Sequence, residues 1–244
     1  LGQPIQGSHP DDSGQSILEY LLEGEQTISP SMGIFLPETY RMHPDICRLI
    51  SDQVYDSRLN SAEVTNRHIV NVPKEILPIR HGIHFVPVMH EGNTQASEEE
   101  VKAIKILAQN LINVPYWPKK EGGKARLIGW SDILFVAPYN YQVNLLKSAL
   151  NTEAKVGSVD KFQGQEAPIV FLSMCASDAS ESPRGIEFLF SKNRLNVAIS
   201  RAQSLVIVVG SPNLANTSAN NLQQMEQINF YSEIVNHFNR IEII

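Results

Sequence analysis

The stretch IVFLSM at residues 169–174 is a nearly continuous apolar run of branched and aromatic side chains. Ile133–Ala137 and Leu205–Val209 repeat this pattern, and Ile83–Val88 is a further run of the same kind. Short apolar runs without polar alternation are typical of strands that are covered on both faces, as in parallel sheets. We therefore expect these segments to form a buried sheet.

Helical patterns separate the predicted strands. Tyr141–Leu150 and Arg194–Ala202 are predicted helices, and the strongest helical pattern follows Ser97. The apolar face of that helix comprises Val101, Ile104, Leu107, Ala108 and Leu111. Pro44 and Asp45 favour a helix start at His43, and an amphipathic helix is expected near Gln223–Phe238. This alternation predicts one α/β domain with a doubly wound parallel sheet.

The composition is that of a globular domain and excludes disorder and coiled coil, because 42% of the 244 residues are apolar and 19% are charged. No apolar run approaches the ~20 residues of a membrane span, and we expect no secretory signal. Cys47 and Cys175 form no CxxC pair, so they are predicted to be reduced core thiols. The net charge of −6 means that a nucleic-acid role has to rest on local residues.

Several catalytic signatures are absent from the sequence. It contains no GxxxxGK[ST] phosphate-binding loop and no GxSxG nucleophile elbow. Its 7 histidines show no close metal-binding spacing, so no metal site is expected. Asp132, Glu153 and Lys155 loosely imitate the carboxylates and lysine of a metal-dependent nuclease, which would need a two-carboxylate metal clamp. The sequence therefore lacks a P-loop, and a nuclease remains one alternative.

Two kinds of feature could carry chemistry. Polar loops at 138–140 and 160–166 follow predicted strands, where parallel sheets bind ligands. On the predicted helix that begins at Arg194, Arg194 and Arg201 share a face and lie about 10 Å apart along the axis. Spacing alone fits an anion-binding face and equally fits solvated arginines in salt bridges.

Four motifs resemble those of superfamily 1B helicases, the Upf-like and DNA-replication-helicase-like group. YRMHPDI at 40–46 is similar to their YRMHPxI motif, and VAPYNYQV at 136–143 resembles their TPYxxQ element. VGSVDKFQGQE at 156–166 resembles motif V, TVDxFQGxE, and RLNVAISRA at 194–202 resembles motif VI, RLNVAxTRA. LGQP at 1–4 is similar to the tail of motif III. The motifs occur in the family's order.

The resemblance implies a RecA-like fold, in which helices flank a doubly wound parallel sheet. In this family two RecA-like domains bind ATP in the cleft between them, and the first domain carries the P-loop. Residues 1–30 are then predicted to be a linker after motif III of a missing first domain, and residues 31–244 the second RecA-like domain. ATP and Mg²⁺ belong to the complete protein, with the Mg²⁺ ligands in the first domain, and the chain alone is expected to be inactive.

The family's residue roles carry over position by position. Arg41 and Arg201 match the arginines that reach the γ-phosphate and are the predicted catalytic residues. Gln163, Gly164 and Glu166 match nucleotide-binding positions. The resemblance also implies a group of residues that line the single-strand groove. These are Pro138, Tyr139, Asn140, Ser158, Val159, Arg194 and Asn196.

As a whole, the resemblance implies a motor domain that couples ATP hydrolysis to translocation and unwinding. Its partners would be single-stranded DNA or RNA and the first RecA-like domain, with no membrane. We further expect a bacterial source, a cytoplasmic location and a role in DNA repair, and the family admits a nuclease domain on the same polypeptide. The alternative is a non-catalytic nucleic-acid-binding or regulatory module that has kept the RecA-like fold.

Overall fold

The computed structural model describes residues 21–22, 24–76, 80–117 and 124–241. The motif at 1–4 lies outside these residues, as does most of the predicted linker. The strands are β1 (Glu38–Thr39), β2 (Asn60–Ser61), β3 (Gly82–Pro87), β4 (Pro115–Tyr116), β5 (Arg126–Leu127), β6 (Ile133–Val136), β7 (Lys155–Gly157), β8 (Ala167–Ser173), β9 (Ala202–Gly210) and β10 (Asn239–Arg240). The helices are α1 (Pro44–Val54), α2 (Glu98–Leu111), α3 (Asn140–Ala149), α4 (Gly185–Leu189), α5 (Lys192–Ile199) and α6 (Leu222–His237).

Six strands form one parallel sheet in the order β10-β3-β9-β8-β6-β7. The apolar runs that predicted strands supply β3, β6, β8 and β9, so the predicted parallel sheet is confirmed. The pairs β1–β2 and β4–β5 lie outside this sheet. The central strands are buried along almost their whole length, as expected for strands covered on both faces.

Successive side chains of the strands enter two different cores. In β8, Val170 and Leu172 join one core, whereas Ile169 and Phe171 join the other. Helices α1, α5 and α6 cover the first core, and α2 and α3 cover the second. The sheet is therefore doubly wound, with helices on both faces.

The helix starts follow the capping signals of the sequence. The Ser97 side chain caps α2 by accepting a hydrogen bond from Glu100 N, and its predicted apolar face is buried. His43 caps α1, with Pro44 in the first turn. The predicted helix Arg194–Ala202 ends earlier, at Ile199, because Ala202 pairs with Ala167 and begins β9. Among the described residues, no helix has the length and apolar character needed to cross a membrane.

The buried carboxyl group of Glu100 ties α2 to the end of β8. Its oxygens accept hydrogen bonds from Ser173 Oγ at 2.6 Å and from Cys175 N at 2.9 and 3.0 Å. His90 Nε2 lies 2.9 Å from Glu100 Oε1, and both side chains are fully buried. This polar group therefore has its partners inside the core, as a buried carboxylate requires.

Removing this carboxyl group should destabilise the fold. We expect Glu100→Ala to lower the free energy of unfolding by about 3–5 kcal/mol, because it leaves His90 and the backbone N–H of Cys175 without their partner. Lys102→Ala, at an exposed position on the same helix, should change it by less than about 0.5 kcal/mol. Urea denaturation followed by circular dichroism measures both. Equal losses in the two variants would contradict this role of Glu100.

Candidate functional site

Three predicted site residues meet where the strands of the sheet begin, which we call the amino edge. Glu166 directly precedes β8 and Arg201 directly precedes β9. The ladder continues between them, because Ala167 N donates to Arg201 O at 3.0 Å. Arg41 approaches Glu166 from the segment before α1. This segment is held beside β9 by a hydrogen bond of 2.8 Å that His43 N donates to Gln203 O.

Arg41 is fixed by two contacts at this edge. Its Nε donates to Glu166 Oε2 at 2.9 Å and its Nη1 to Ser200 O at 3.1 Å. The side chains of Arg41 and Glu166 remain 30% and 40% exposed. The guanidinium group is therefore oriented by the protein and still reachable from solvent.

Arg201 lies close to Arg41 and is held by main-chain oxygens. Its Nε donates to Val197 O at 2.9 Å and its Nη1 to Gln165 O at 3.4 Å. Burial lowers the pKa of Arg201, and the positive charge of Arg41 lowers this pKa further. An arginine stays protonated despite such a shift. The edge thus holds two like charges whose repulsion an anion would relieve.

Glu166 is restrained on both oxygens. Gln203 Nε2 donates to Glu166 Oε1 at 2.9 Å, while Arg41 occupies the other oxygen. Gln203 in turn accepts from the buried Tyr116 hydroxyl at 2.7 Å. Sequence reasoning missed Gln203 and Tyr116. The signal available was a glutamine at the second position of the apolar strand β9.

The loop 163–165 is exposed beside these residues. Gly164 has a φ of +81°, the left-handed conformation that glycine adopts without strain, and no atom lies within 4 Å of where a Cβ would be. Gln163 is exposed to solvent, and Gln165 O accepts a hydrogen bond from Arg201 Nη1. The predicted nucleotide-binding positions Gln163, Gly164 and Glu166 are thus brought together with both arginines.

The other predicted residues lie at the opposite, carboxyl edge, where the strands end. Pro138, Tyr139 and Asn140 follow β6, and Ser158 and Val159 follow β7. Tyr139 and Val159 are buried, at 5% and 6% exposure, so their side chains do not line an exposed surface. Pro138 and Ser158 are half-buried, and Asn140 is exposed.

The Tyr139 ring is part of the core rather than a stacking surface. Its hydroxyl is hydrogen-bonded to Ser182 Oγ, and its ring centroid lies 5.2 Å from that of Phe188. An aromatic residue directly after a strand could have faced solvent, and sequence alone did not distinguish the two cases.

Arg194 lies at the amino end of α5, near the carboxyl edge. Its Nη2 donates to Asp160 Oδ2 at 2.8 Å, and its guanidinium lies 4.4 Å from the Phe188 ring centroid. Arg184, which sequence reasoning missed, lies 3.7 Å from the same centroid. Within the described residues, Arg194 Nε has no hydrogen-bond partner. Asn196, the remaining predicted residue, donates to the Tyr55 hydroxyl at 3.2 Å.

The residues of the nuclease alternative do not form a metal clamp. Asp132 accepts from Arg126 Nη1 at 2.7 Å and from Gly129 N at 2.8 Å, so its Oδ2 is occupied. Glu153 lies in an exposed turn. In the part of the chain that the structure describes, the one group of three residues suited to a metal ion lies elsewhere. That group is His43, Asp45 and His81.

Known proteins resemble the chain over most of its length. A protein-family model described as an AAA domain matches residues 13–213. The putative helicase mov-10-B.1 of Danio rerio is 30% identical over 75% of this chain and 20% of its own length. The DNA polymerase alpha-associated DNA helicase A of Schizosaccharomyces pombe is 31% identical over 73% of the chain and 28% of its own length.

A third relative, regulator of nonsense transcripts 1 of Caenorhabditis elegans, is 27% identical over 84% of the chain and 18% of its own length. The chain thus spans less than a third of each of these three relatives. The chain is therefore similar to proteins named as helicases, and because the family model covers residues 13–213, most of the 244, it belongs to this AAA-domain family.

Proposed function

We propose that this chain is the second RecA-like domain of an ATP-dependent superfamily 1B helicase. In this proposal it supplies arginine fingers to ATP bound by a first domain and forms half of the single-strand groove. The observation that carries the proposal is the meeting of Arg41 and Arg201 at one exposed edge, on either side of the Glu166 loop. The helicase names of the relatives support the same activity.

The two arginines suit a developing phosphoryl charge. A guanidinium is planar, permanently charged and carries several donors, which match the oxygens of a transferring phosphate. Arg41 and Arg201 each donate two hydrogen bonds to protein oxygens, and these bonds fix the orientation of each guanidinium group. Such preorganised groups stabilise transition-state charge without reorganising during the reaction.

Glu166 has a restraining role in this proposal. Its carboxylate pairs with Arg41 and stays in place through Gln203, so Arg41 is positioned while no phosphate is near. A phosphate at the edge would bind the guanidinium donors that Arg41 does not use on Glu166 and Ser200. The resemblance matches Glu166 to the family's acidic residue near the ribose, and Gln163 and Gly164 to positions beside the nucleotide.

ATP and Mg²⁺ are the implied cofactors, and the edge fits only the nucleotide. Guanidinium groups bind phosphate oxygens, whereas Mg²⁺ requires oxygen ligands, and the carboxylate of Glu166 is already paired on both oxygens. When bound, Mg-ATP would supply the transferable phosphoryl group. We therefore assign the Mg²⁺ ligands to a first domain and the arginines and loop to this chain.

The carboxyl edge is the proposed contact with single-stranded DNA or RNA. Exposed Asn140 and half-buried Ser158 offer polar groups to phosphates, whereas Tyr139 and Val159 are buried beside them. Arg184 and Arg194 on Phe188 add positive charge at the same edge, although Asp160 offsets part of it. Helix α5 carries Arg194 near one end and leads to Arg201 at the other, so one rigid element joins the two proposed sites.

The finer parts of this proposal remain predictions. They are the 1B subtype, the arginine-finger roles, a bacterial source, a nuclease domain on the same polypeptide, DNA repair and a cytoplasmic location. The three relatives described above come from fish, yeast and nematode and leave the source of this chain open.

The proposal predicts that this chain is half of an ATPase. We expect single-strand-stimulated ATP hydrolysis by a longer polypeptide that adds a P-loop domain before residue 1, and none by the 244-residue chain alone. Phosphate release with and without a single-stranded oligonucleotide measures both. Absence of hydrolysis in both polypeptides would favour the non-catalytic binding module. Hydrolysis by the 244-residue chain alone would contradict the proposal that a first domain supplies the P-loop and this chain supplies the arginines.

Arg201 should be essential for hydrolysis and dispensable for nucleic-acid binding. In the longer polypeptide, Arg201→Ala is expected to lower kcat by about 10³–10⁵-fold while oligonucleotide affinity is retained. Arg201→Lys should also be strongly impaired, because lysine lacks the planar fork. Lys147→Ala, an exposed change on α3, is the matched control and should hydrolyse normally. Parallel loss of both activities in Arg201→Ala would indicate misfolding or a nucleic-acid role instead.

Arg194 should contribute one phosphate contact. We expect Arg194→Ala to weaken binding of a fluorescein-labelled single-stranded oligonucleotide. The slope of log K against log salt concentration should also become shallower by about 1, because one phosphate contact is lost. Asp160→Asn should strengthen binding, since it removes the carboxylate that Arg194 now faces. Fluorescence anisotropy at several salt concentrations measures these changes. Lys105→Ala on α2 is the charge-matched control, and an equal effect there would point to non-specific attraction.

A further inference from the structure

Three side chains that are far apart in sequence meet beside the first strand of the large sheet. His43 caps α1, Asp45 lies in its first turn, and His81 directly precedes β3. One ligand atom from each lies within 4.8 Å of the other two. His81 follows His43 by 38 positions in the chain, so a search for local metal-binding spacing does not find this group.

The distances suit a shared cation. Asp45 Oδ2 lies 2.7 Å from His81 Nδ1 and 3.7 Å from His43 Nδ1. Ligands at the usual 2.0–2.1 Å from a tetrahedral Zn²⁺ are separated by about 3.3 Å, and the two observed distances bracket this value. Small side-chain rotations would therefore seat an ion among the three atoms.

The backbone is shaped to bring the ligands together. Gly82, next to His81, has a φ of +85°, and a Cβ there would lie 3.1 Å from Asp45 Cβ. Only glycine permits both this conformation and this approach without strain. The rings of His43 and His81 stack with centroids 4.1 Å apart, so both imidazoles are held in place.

The ligand atoms already contact one another. His81 Nδ1 is a buried nitrogen that lies 2.7 Å from Asp45 Oδ2, an ion-pair contact that a shared metal ion would replace. His43 Nδ1 accepts only a long capping bond from Asp45 N, at 3.2 Å, which a metal would replace. Arg48 approaches the other carboxylate oxygen, Oδ1, at 3.8 Å, so the oxygen that faces the two imidazoles is Oδ2.

The group is also reachable from solvent. The side chains of Asp45 and His81 are 40% and 29% exposed, whereas His43 is largely buried. Water can then complete the coordination of an ion held by three protein ligands, as in open metal sites.

We propose that His43, Asp45 and His81 form a binding site for a divalent transition metal of the zinc class. Two imidazoles and one carboxylate are ligands that zinc accepts readily, whereas Mg²⁺ prefers oxygen ligands alone. The site is distinct from the Mg²⁺ of the proposed ATPase, and the inference does not depend on that function.

Zinc titration tests the site directly. We expect the 244-residue chain to bind one Zn²⁺ that competes with a chromogenic chelator and is not displaced by millimolar Mg²⁺. His81→Ala and Asp45→Asn should each weaken binding at least about tenfold, the lower end of the loss seen even for outer-sphere changes. Arg48→Ala keeps all three ligands and should bind as tightly as the unaltered chain.

Two further readouts separate lost ligands from lost structure. Co²⁺ in this site should give a visible absorption spectrum that His81→Ala lacks, while its circular dichroism matches that of the unaltered chain. Zn²⁺ should raise the Tm of the unaltered chain and of Arg48→Ala, and should raise that of Asp45→Asn by less at the same Zn²⁺ concentration. The proposal is overturned if Zn²⁺ does not bind saturably, or if all variants, well folded, bind it equally.

Discussion

The parallel pairing of β8 with β9, which sets Ala167 opposite Ala202, determines where the candidate site can form. The register puts Glu166 and Arg201 side by side at the amino edge. The carboxylate then orients Arg41 from a segment that precedes the large sheet in sequence. A shift of this register by one residue would exchange the two faces of the strand and disrupt both cores as well as the site. Fold and site are thus set by the same main-chain hydrogen bonds.

The predicted residues divide between two edges of one sheet. Parallel sheets commonly bind ligands at the carboxyl edge, and the loops after β6 and β7 follow that rule. Arg41 and Arg201 lie at the other edge, where the strands begin, and Arg201 is the residue directly before β9. In the proposed function the domain contacts a different ligand at each edge, and α5 runs between the two edges.

Most of the sheet could be predicted from the sequence, since runs such as Ile133–Ala137 are too apolar to face solvent. The meeting of Arg41 with Arg201 followed from the family resemblance and not from any local pattern. Burial of Tyr139 and the approach of His81 to Asp45 were not predictable, because both depend on contacts between segments far apart in sequence. The periodicity of apolar residues predicts which face of a helix or strand is buried, but it does not predict which other segment packs against that face.

The net charge of −6 is compatible with phosphate recognition, because the relevant charges are local. Around the amino edge, the two guanidinium groups of Arg41 and Arg201 outnumber the single carboxylate of Glu166. Burial lowers the pKa of Arg201, and the positive charge of Arg41 lowers it further. Exposed acidic residues farther away than about 10 Å are largely screened at physiological salt. An anion at this edge therefore interacts mainly with the two guanidinium groups and not with the net charge of the whole chain. The acidic composition affects the solubility of the protein and the rate at which an anion approaches it, rather than the binding itself.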